Sequence, residues 1–277
     1  MTTTFAPHPM PLRQLRWQLQ DSLVLARRNL AHVRQIPEKL IDVTVQPLMF
    51  VLLFAFVFGG VIHIPEGSYH AYLLAGIAVQ TLAFGMMGPG TSISTDLGEG
   101  IVDRFRSLPM GRCAYLLGHL LAELTASVLA ITVISLSGLL IGWRINTDPL
   151  HAAAGFGLLV LISLTMIWIG TMLGVLARTP DAVQGAVFVV VFPLTFVACA
   201  FVPLAGLPSG LRAVADYNPI SAFAAAVRTL FGNPTAITHG APWPLEHPVL
   251  ASVLWCAALL LAAVPATLWA FRRRTTD

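Results

Sequence analysis

His119 and Glu123 stand four residues apart inside a stretch, 113–142, that is otherwise almost entirely apolar. Four residues is about one helical turn, so the two side chains share a face. An ionisable group within an apolar run of membrane-spanning length is a functional candidate by default. The chemistry open to such a pair is a proton relay or half of a metal site. The plainer alternative is a His119–Glu123 or Glu123–arginine contact near an interface that sets helix register. Asp42, at the mouth of the first apolar stretch, reads as interfacial. Cys113, Cys199 and Cys256 form no CxxC and no Cys/His ligand spacing, which argues against disulfides and structural zinc.

Other chemistries are missing their residues. A P-loop needs Gly-Lys-Ser/Thr so that backbone amides and the lysine cradle phosphates, yet Lys39 is the only lysine and it follows Glu38. The chain therefore lacks a standard ATP site and binds no cofactor of its own by this reading. Neither HExxH nor GxSxG occurs; in Gly206-Leu-Pro-Ser-Gly the serine is one place too late for a nucleophile elbow. A hydrolase is not expected.

The composition explains what such residues must be embedded in. Of 277 residues, 56% are hydrophobic and 10% charged, against about a quarter charged in soluble domains, and mean hydropathy is +0.78. That excludes a soluble enzyme. The net charge of +3 is too small for the basic field of a nucleic-acid binder. Six long apolar stretches, 43–62, 71–93, 113–142, 152–176, 183–204 and 249–271, are each long enough to cross a bilayer as helices. Ahead of them, Leu12, Leu15, Leu19, Leu23, Ala26, Leu30 and Val33 trace one helical stripe opposite Arg13, Arg16, Arg27, Arg28 and Arg34. That pattern reads as an amphipathic helix on a membrane surface, ending at Pro37. The expected fold is an all-α membrane protein: an N-terminal cytoplasmic unit, 1–40, and a six-helix membrane domain, 41–277.

Lysine and arginine set the orientation. No signal peptide is read at the N-terminus, so both ends are expected in the cytoplasm. With them inside, the inner segments hold thirteen of the sixteen basic residues; Arg144, Arg212 and Arg228 fall outside.

Two connections stand out. The inner one runs Asp96-Leu-Gly-Glu-Gly-Ile-Val-Asp-Arg-Phe-Arg-Ser-Leu-Pro-Met-Gly-Arg112, with Ile101, Phe105 and Leu108 at helical spacing between acids and arginines. It is either a short amphipathic docking helix or a solvated linker. In the outer one, 205–248, Asn218 suits an N-cap, Pro219 the first helical position and Gly232 a left-handed stop. The helix predicted over 219–231 is apolar enough to re-enter the membrane; the alternative is a plain surface helix. Gly138-x-x-x-Gly142 and Gly170-x-x-x-Gly174 read as helix-packing faces. Gly85, Gly88, Pro89 and Gly90 weaken the second stretch near its inner end.

The inner block, followed by Leu116-Leu-Gly, and the outer block Phe201-Val-Pro…Leu207-Pro…Tyr217-Asn-Pro-Ile…Arg228-x-Leu-x-Gly232 resemble the ABC-2 type permease family, in particular daunorubicin-resistance-type exporter permeases. The resemblance covers nearly the whole chain. It implies a permease in a bacterial plasma membrane that works with a separate ABC ATP-binding subunit, where ATP and Mg²⁺ bind, and with a second permease copy or sister permease. It implies ATPase coupling through 12–36 and 96–112, with Glu99, Gly100, Asp103, Arg104, Phe105, Arg106 and Pro109 as the coupling residues. It further implies an outer gate containing Asn218, Pro219, Arg228 and Gly232. An apolar path along the second and fifth spans makes Phe84, Phe188, Phe192 and Phe196 its candidate lining. The expected cargo is an amphipathic drug, antibiotic or lipid-like molecule. The rival expectation is a proton-coupled secondary drug transporter using Glu123 and His119.

Overall fold

The computed structural model describes residues 37–59, 64, 67–100, 114–201, 208–235 and 240–274. The amphipathic stripe over 12–36 and most of the inner block, 101–112, lie outside the described residues; the boundary expected between 40 and 41 falls inside the helix Pro37–Phe58.

Among the described residues the chain is all helix: α1 (Pro37–Phe58), α2 (Tyr69–Phe84), α3 (Met87–Gly98), α4 (Ala114–Leu140), α5 (Pro149–Leu176), α6 (Pro180–Phe196), α7 (Ser209–Asp216), α8 (Pro219–Phe231), α9 (Trp243–Glu246) and α10 (Pro248–Arg274). Four segments among the described residues are long and apolar enough to cross a membrane: Tyr69–Gly98, Tyr115–Leu140, Pro149–Leu176 and Pro248–Phe271. Thr44–Val57 and Pro180–Phe196 are shorter apolar helices. The outward faces are apolar, with Phe56 77% and Leu261 76% exposed, as lipid-facing helices require. This is an all-helical, multi-pass membrane protein.

Helix starts follow local chemistry. The Ser68 hydroxyl accepts from the His70 amide, Thr179 accepts from the Ala182 amide, and prolines open α5, α6 and α8 at positions where a missing N–H costs nothing. Two helices differ from the sequence expectation. α1 is described from Pro37, about two turns ahead of the apolar run, so Pro37 lies within a helical segment and is not only the end of the preceding stripe. α6 stops at Phe196 and does not continue to 204; the cause is the set of side chains that captures the backbone after it, described below.

α2 and α8 form the centre. Thirteen of the 16 residues of α2 and eleven of the 13 of α8 are buried, so neither has a face left for solvent or lipid. Glycines set the close crossings. A Cβ on Gly170 would lie 2.1 Å from the Met86 carbonyl oxygen, and one on Gly174 would lie 2.2 Å from that of Gly90. The α3–α5 contact is thus backbone against backbone, at the point where the second span breaks between Phe84 and Met87. Gly138 meets the Leu74 side chain in the same way, whereas Gly142 has open space around it and φ of +97°. It ends α4 and is not part of a packing face.

Candidate functional site

The densest polar structure in the described protein lies where α6 ends. Residues 197–201 leave the helix, and Ala198, Cys199, Ala200 and Phe201 are buried, so their freed carbonyl oxygens need partners within the protein. Side chains supply them. The Arg228 guanidinium donates from Nη1 to the Cys199 oxygen, from Nη2 to the Ala200 oxygen and from Nε to the Tyr72 oxygen, each at 2.8 Å. Tyr72 Oη donates to the Cys199 oxygen at 2.7 Å and Tyr69 Oη to the Phe201 oxygen at 3.3 Å. The Asn218 side-chain nitrogen donates to the Leu194 oxygen at 2.7 Å. Ser221 Oγ accepts from the Cys199 amide, and Cys199 Sγ donates to the Ser221 oxygen.

Arg228 is 0% exposed. Among the described residues no carboxylate pairs with it; its charge rests on three carbonyl dipoles and on the face of Tyr72, whose ring centroid is 3.5 Å from Cζ. Gly76 makes room for the arrangement, since a Cβ there would lie 1.8 Å from the Ala200 oxygen. α2, the break and α8 are therefore one hydrogen-bonded body.

The other residues expected at the outer gate hold α8 in place. Asn218 Oδ1 accepts from the Ile220 amide at 2.9 Å, Pro219 opens the helix, and Gly232 ends it at φ +67°. The Asn233 amide then closes on the Arg228 oxygen at 2.9 Å, and the Asn146 amide donates to the Phe231 oxygen at 2.9 Å. A Cβ on Gly232 would lie 2.4 Å from the Asn146 oxygen. The structure thus places Asn218, Pro219, Arg228 and Gly232 on one element: Asn218 and Arg228 are buried, Pro219 is half-buried and Gly232 is exposed at the helix end, while the body of the helix packs inside the bundle and is not laid across its surface. Sequence reasoning missed Tyr69, Tyr72, Gly76, Cys199 and Ser221. The available signal was an arginine in an apolar helix that contains no acid, which forces a search for carbonyl and aromatic partners.

The aromatic candidates also come together. Phe188, Phe192 and Phe196 recur every four residues along one face of α6, 53%, 40% and 50% exposed, with ring centroids 5.0 and 4.5 Å apart. Phe84 joins one end at 6.4 Å; Phe201 joins the other at 5.8 Å and leads to Phe54 at 4.5 Å.

Of the residues expected to couple to an ATPase, Glu99 and Gly100 are described and Asp103, Arg104, Phe105, Arg106 and Pro109 lie outside the described residues. Glu99 follows α3 and Gly100 turns the chain at φ +67°. The two ends of this segment are tied: Tyr115 Oη donates to Asp96 Oδ2, and the Tyr115 ring stacks on Phe271 at 6.2 Å and on His119 at 6.4 Å. Ile93, Leu116, Val175 and Ala270 pack around Phe271. His119 is buried beneath this stack, and the Glu123 carboxylate faces the backbone at Gly88. Among the described residues no third His, Cys, Asp or Glu completes a metal site with them.

A comparison with protein families matches the ABC-2 type transporter family over residues 20–231, from ahead of α1 to the last residue of α8. The chain belongs to the ABC-2 type transporter family. Its α8 and carbonyl cradle thus fall inside the region that the family shares. Permeases of this ABC-2 family work with an ABC ATP-binding subunit. Among relatives, the chain is 34% identical over 203 residues to the daunorubicin resistance ABC transporter permease protein DrrB1 of Streptomyces coeruleorubidus, covering 73% of this chain and 72% of that one. It is 25% identical over 203 residues to the doxorubicin resistance ABC transporter permease protein DrrB of Mycobacterium tuberculosis, covering 73% and 69%. It is also 25% identical over 220 residues to the putative transport permease ycf38 of Cyanophora paradoxa, covering 78% and 75%.

Proposed function

We propose that this chain is the membrane permease subunit of an ATP-driven exporter that moves an amphipathic drug, antibiotic or lipid-like molecule outward. Hydrolysis of Mg-ATP belongs to a separate ABC ATP-binding subunit, and the permease acts as a pair with a second copy or a sister chain. The observation that carries this reading is the 34% identity with a daunorubicin resistance permease across 73% of the chain. The location is a bacterial plasma membrane, crossed six times with both termini in the cytoplasm, a reading that the distribution of arginines supports.

In this mechanism the partner ATPase bears on 12–36 and on 96–112, where Glu99, Gly100, Asp103, Arg104, Phe105, Arg106 and Pro109 lie. The Asp96–Tyr115 hydrogen bond and the Tyr115–Phe271 stack tie the base of that segment to α3, α4 and α10, so a push on it moves three helices together. The interruption after Phe84 is the flexible junction between α3 and the rigid α2–α8 body. α8, with Asn218, Pro219, Arg228 and Gly232, is the outer gate. The aromatic ladder of Phe84, Phe188, Phe192 and Phe196 is the surface along which an apolar, ring-bearing substrate slides, since flat rings stack on one another.

Inside-out vesicles carrying the permease and its ATP-binding subunit test the reading. ATP-dependent accumulation of doxorubicin is expected, with no accumulation when a pH gradient replaces ATP. Uptake driven by the pH gradient alone, abolished by Glu123→Gln, would instead establish the proton-coupled mechanism. ATP hydrolysis by the purified permease without its partner would also overturn the assignment.

A further inference from the structure

We propose that Arg228 is a tethered cation filling a carbonyl-lined cation site, and that it is the positioning residue that makes the outer gate one rigid body. The inference rests on the reading of α8 as a gate and adds how that gate is held.

The break at 197–201 turns the oxygens of Cys199 and Ala200 toward one point, and the oxygen of Tyr72 on α2 faces the same point. Converging carbonyls at the end of an interrupted membrane helix make a region of negative potential that favours a cation. Here the cation belongs to the chain. Guanidinium fits because its planar fork donates in three directions at once, while its flat face lies on the Tyr72 ring. A lysine ammonium has three donors on one compact centre but no planar fork to spread them and no flat face to lay on the ring. The hydroxyl of Tyr72 and the Cys199 and Ser221 groups complete the lining.

Every element that Arg228 touches is also bonded to another that it touches. α2 holds the break through Tyr69 and Tyr72, and α8 holds it through Ser221, while Asn218 ties the start of α8 to the last turn of α6 at the Leu194 oxygen. Arg228 is the group that binds all three. With it in place, α8 cannot swing away from α2 without stripping a buried charge of its partners, so α2, the break and α8 move together. Without it, three oxygens face one another across an empty site and the body loosens.

The test is chemical rescue. Arg228→Ala is produced with its ATP-binding subunit and compared with the unmodified complex for thermal stability, ATP hydrolysis and ATP-driven doxorubicin uptake. Each is measured with millimolar guanidinium, methylguanidinium or tetramethylammonium chloride. Doxorubicin transport by Arg228→Ala is expected to fall at least roughly tenfold, what the loss of one charge-assisted hydrogen bond corresponds to, while ATP hydrolysis persists. Guanidinium and methylguanidinium are expected to restore both transport and melting temperature; tetramethylammonium, which donates no hydrogen bond, is not. Arg228→Lys is expected to fall between the unmodified protein and Arg228→Ala. Unimpaired transport by Arg228→Ala overturns the proposal, as does a loss that no guanidinium compound relieves. If Arg228→Ala fails to assemble, guanidinium present during production is expected to restore assembly, and failure to do so overturns the proposal equally. If the unmodified complex moves no doxorubicin, rescue of the melting temperature still decides the cation site, separately from the transport reading.

Discussion

Tyr72 and Arg228 donate to the same oxygen, the carbonyl of Cys199, at 2.7 and 2.8 Å. One acceptor thus holds a side chain from each of the two most buried helices, and the tyrosine ring also lies under the guanidinium. The two contributions can be separated. Tyr72→Phe removes the hydroxyl and keeps the ring, and is expected to cost about 1 kcal/mol, the net worth of a hydrogen bond whose acceptor keeps another donor. Tyr72→Leu also removes the ring and is expected to cost about 1–2 kcal/mol more. Thermal melts of the purified proteins in detergent check the order.

Asn218 does two jobs with one side chain, capping α8 through Oδ1 and donating to the Leu194 oxygen through the nitrogen. Asn218→Asp keeps the cap and loses the donor; Asn218→Ala loses both. Asn218→Ala is expected to cost roughly 2–3 kcal/mol, a cap plus a buried carbonyl left without its side-chain donor. The same melts should place Asn218→Asp below the unmodified protein as well, because a carboxylate cannot donate to a carbonyl.

The α3–α5 crossing has no room for a methyl group at Gly170 or Gly174. Gly170→Ala is expected to separate the two helices and destabilise by about 1–3 kcal/mol, the usual range for overpacking. Gly157→Ala, on the same helix with open space around it, is expected to be neutral or stabilising by up to about 1 kcal/mol through helix propensity. Membrane-resident yield and melting temperature, measured side by side, distinguish a tight crossing from a general intolerance of substitution.

Tyr115→Phe keeps the ring on Phe271 and His119 and removes the hydrogen bond to Asp96. If the base of the coupling segment transmits force, this variant is expected to hydrolyse ATP with its partner while moving less doxorubicin per ATP. Asp96→Asn, which can still accept from the tyrosine, should stay close to the unmodified ratio. Equal ratios in all three proteins would remove the bond from the coupling path.

Phe192→Ala takes the middle ring from the aromatic ladder. Because that ring is 40% exposed, its loss should barely lower the melting temperature. Doxorubicin transport should show a raised KM with little change in maximal rate, the mark of lost ground-state contact.

What was legible in the sequence was local. Asn218, Pro219 and Gly232 bound α8 correctly because a cap, a first-turn proline and a left-handed glycine each act within a few residues. The glycines at 85–90 likewise announced the interruption of the second span. The end of α6 was not legible. Its apolar run continues past Phe196, and what stops the helix is a set of donors on α2 and α8 that lie up to 132 residues away. Backbone acceptors leave no mark in a sequence, so Arg228 was visible as an isolated charge while its partners were not. The burial of α8 follows from the same long-range bonds. Periodicity shows that a helix is apolar without showing what surrounds it.

The chain is made from its N-terminus, which gives the carbonyl cradle an order of assembly. Tyr69 and Tyr72 are already synthesised when 197–201 emerges, but Arg228 follows Cys199 by 29 residues. During that interval the Cys199 and Phe201 oxygens have only tyrosine hydroxyls as donors, and the Ala200 oxygen has none of its final partners. The arginine is then delivered into the membrane by a short helix flanked with proline and glycine, toward acceptors already in place. A charge that is hard to insert alone thus enters last, as the closing piece of a site that the earlier helices have prepared for it.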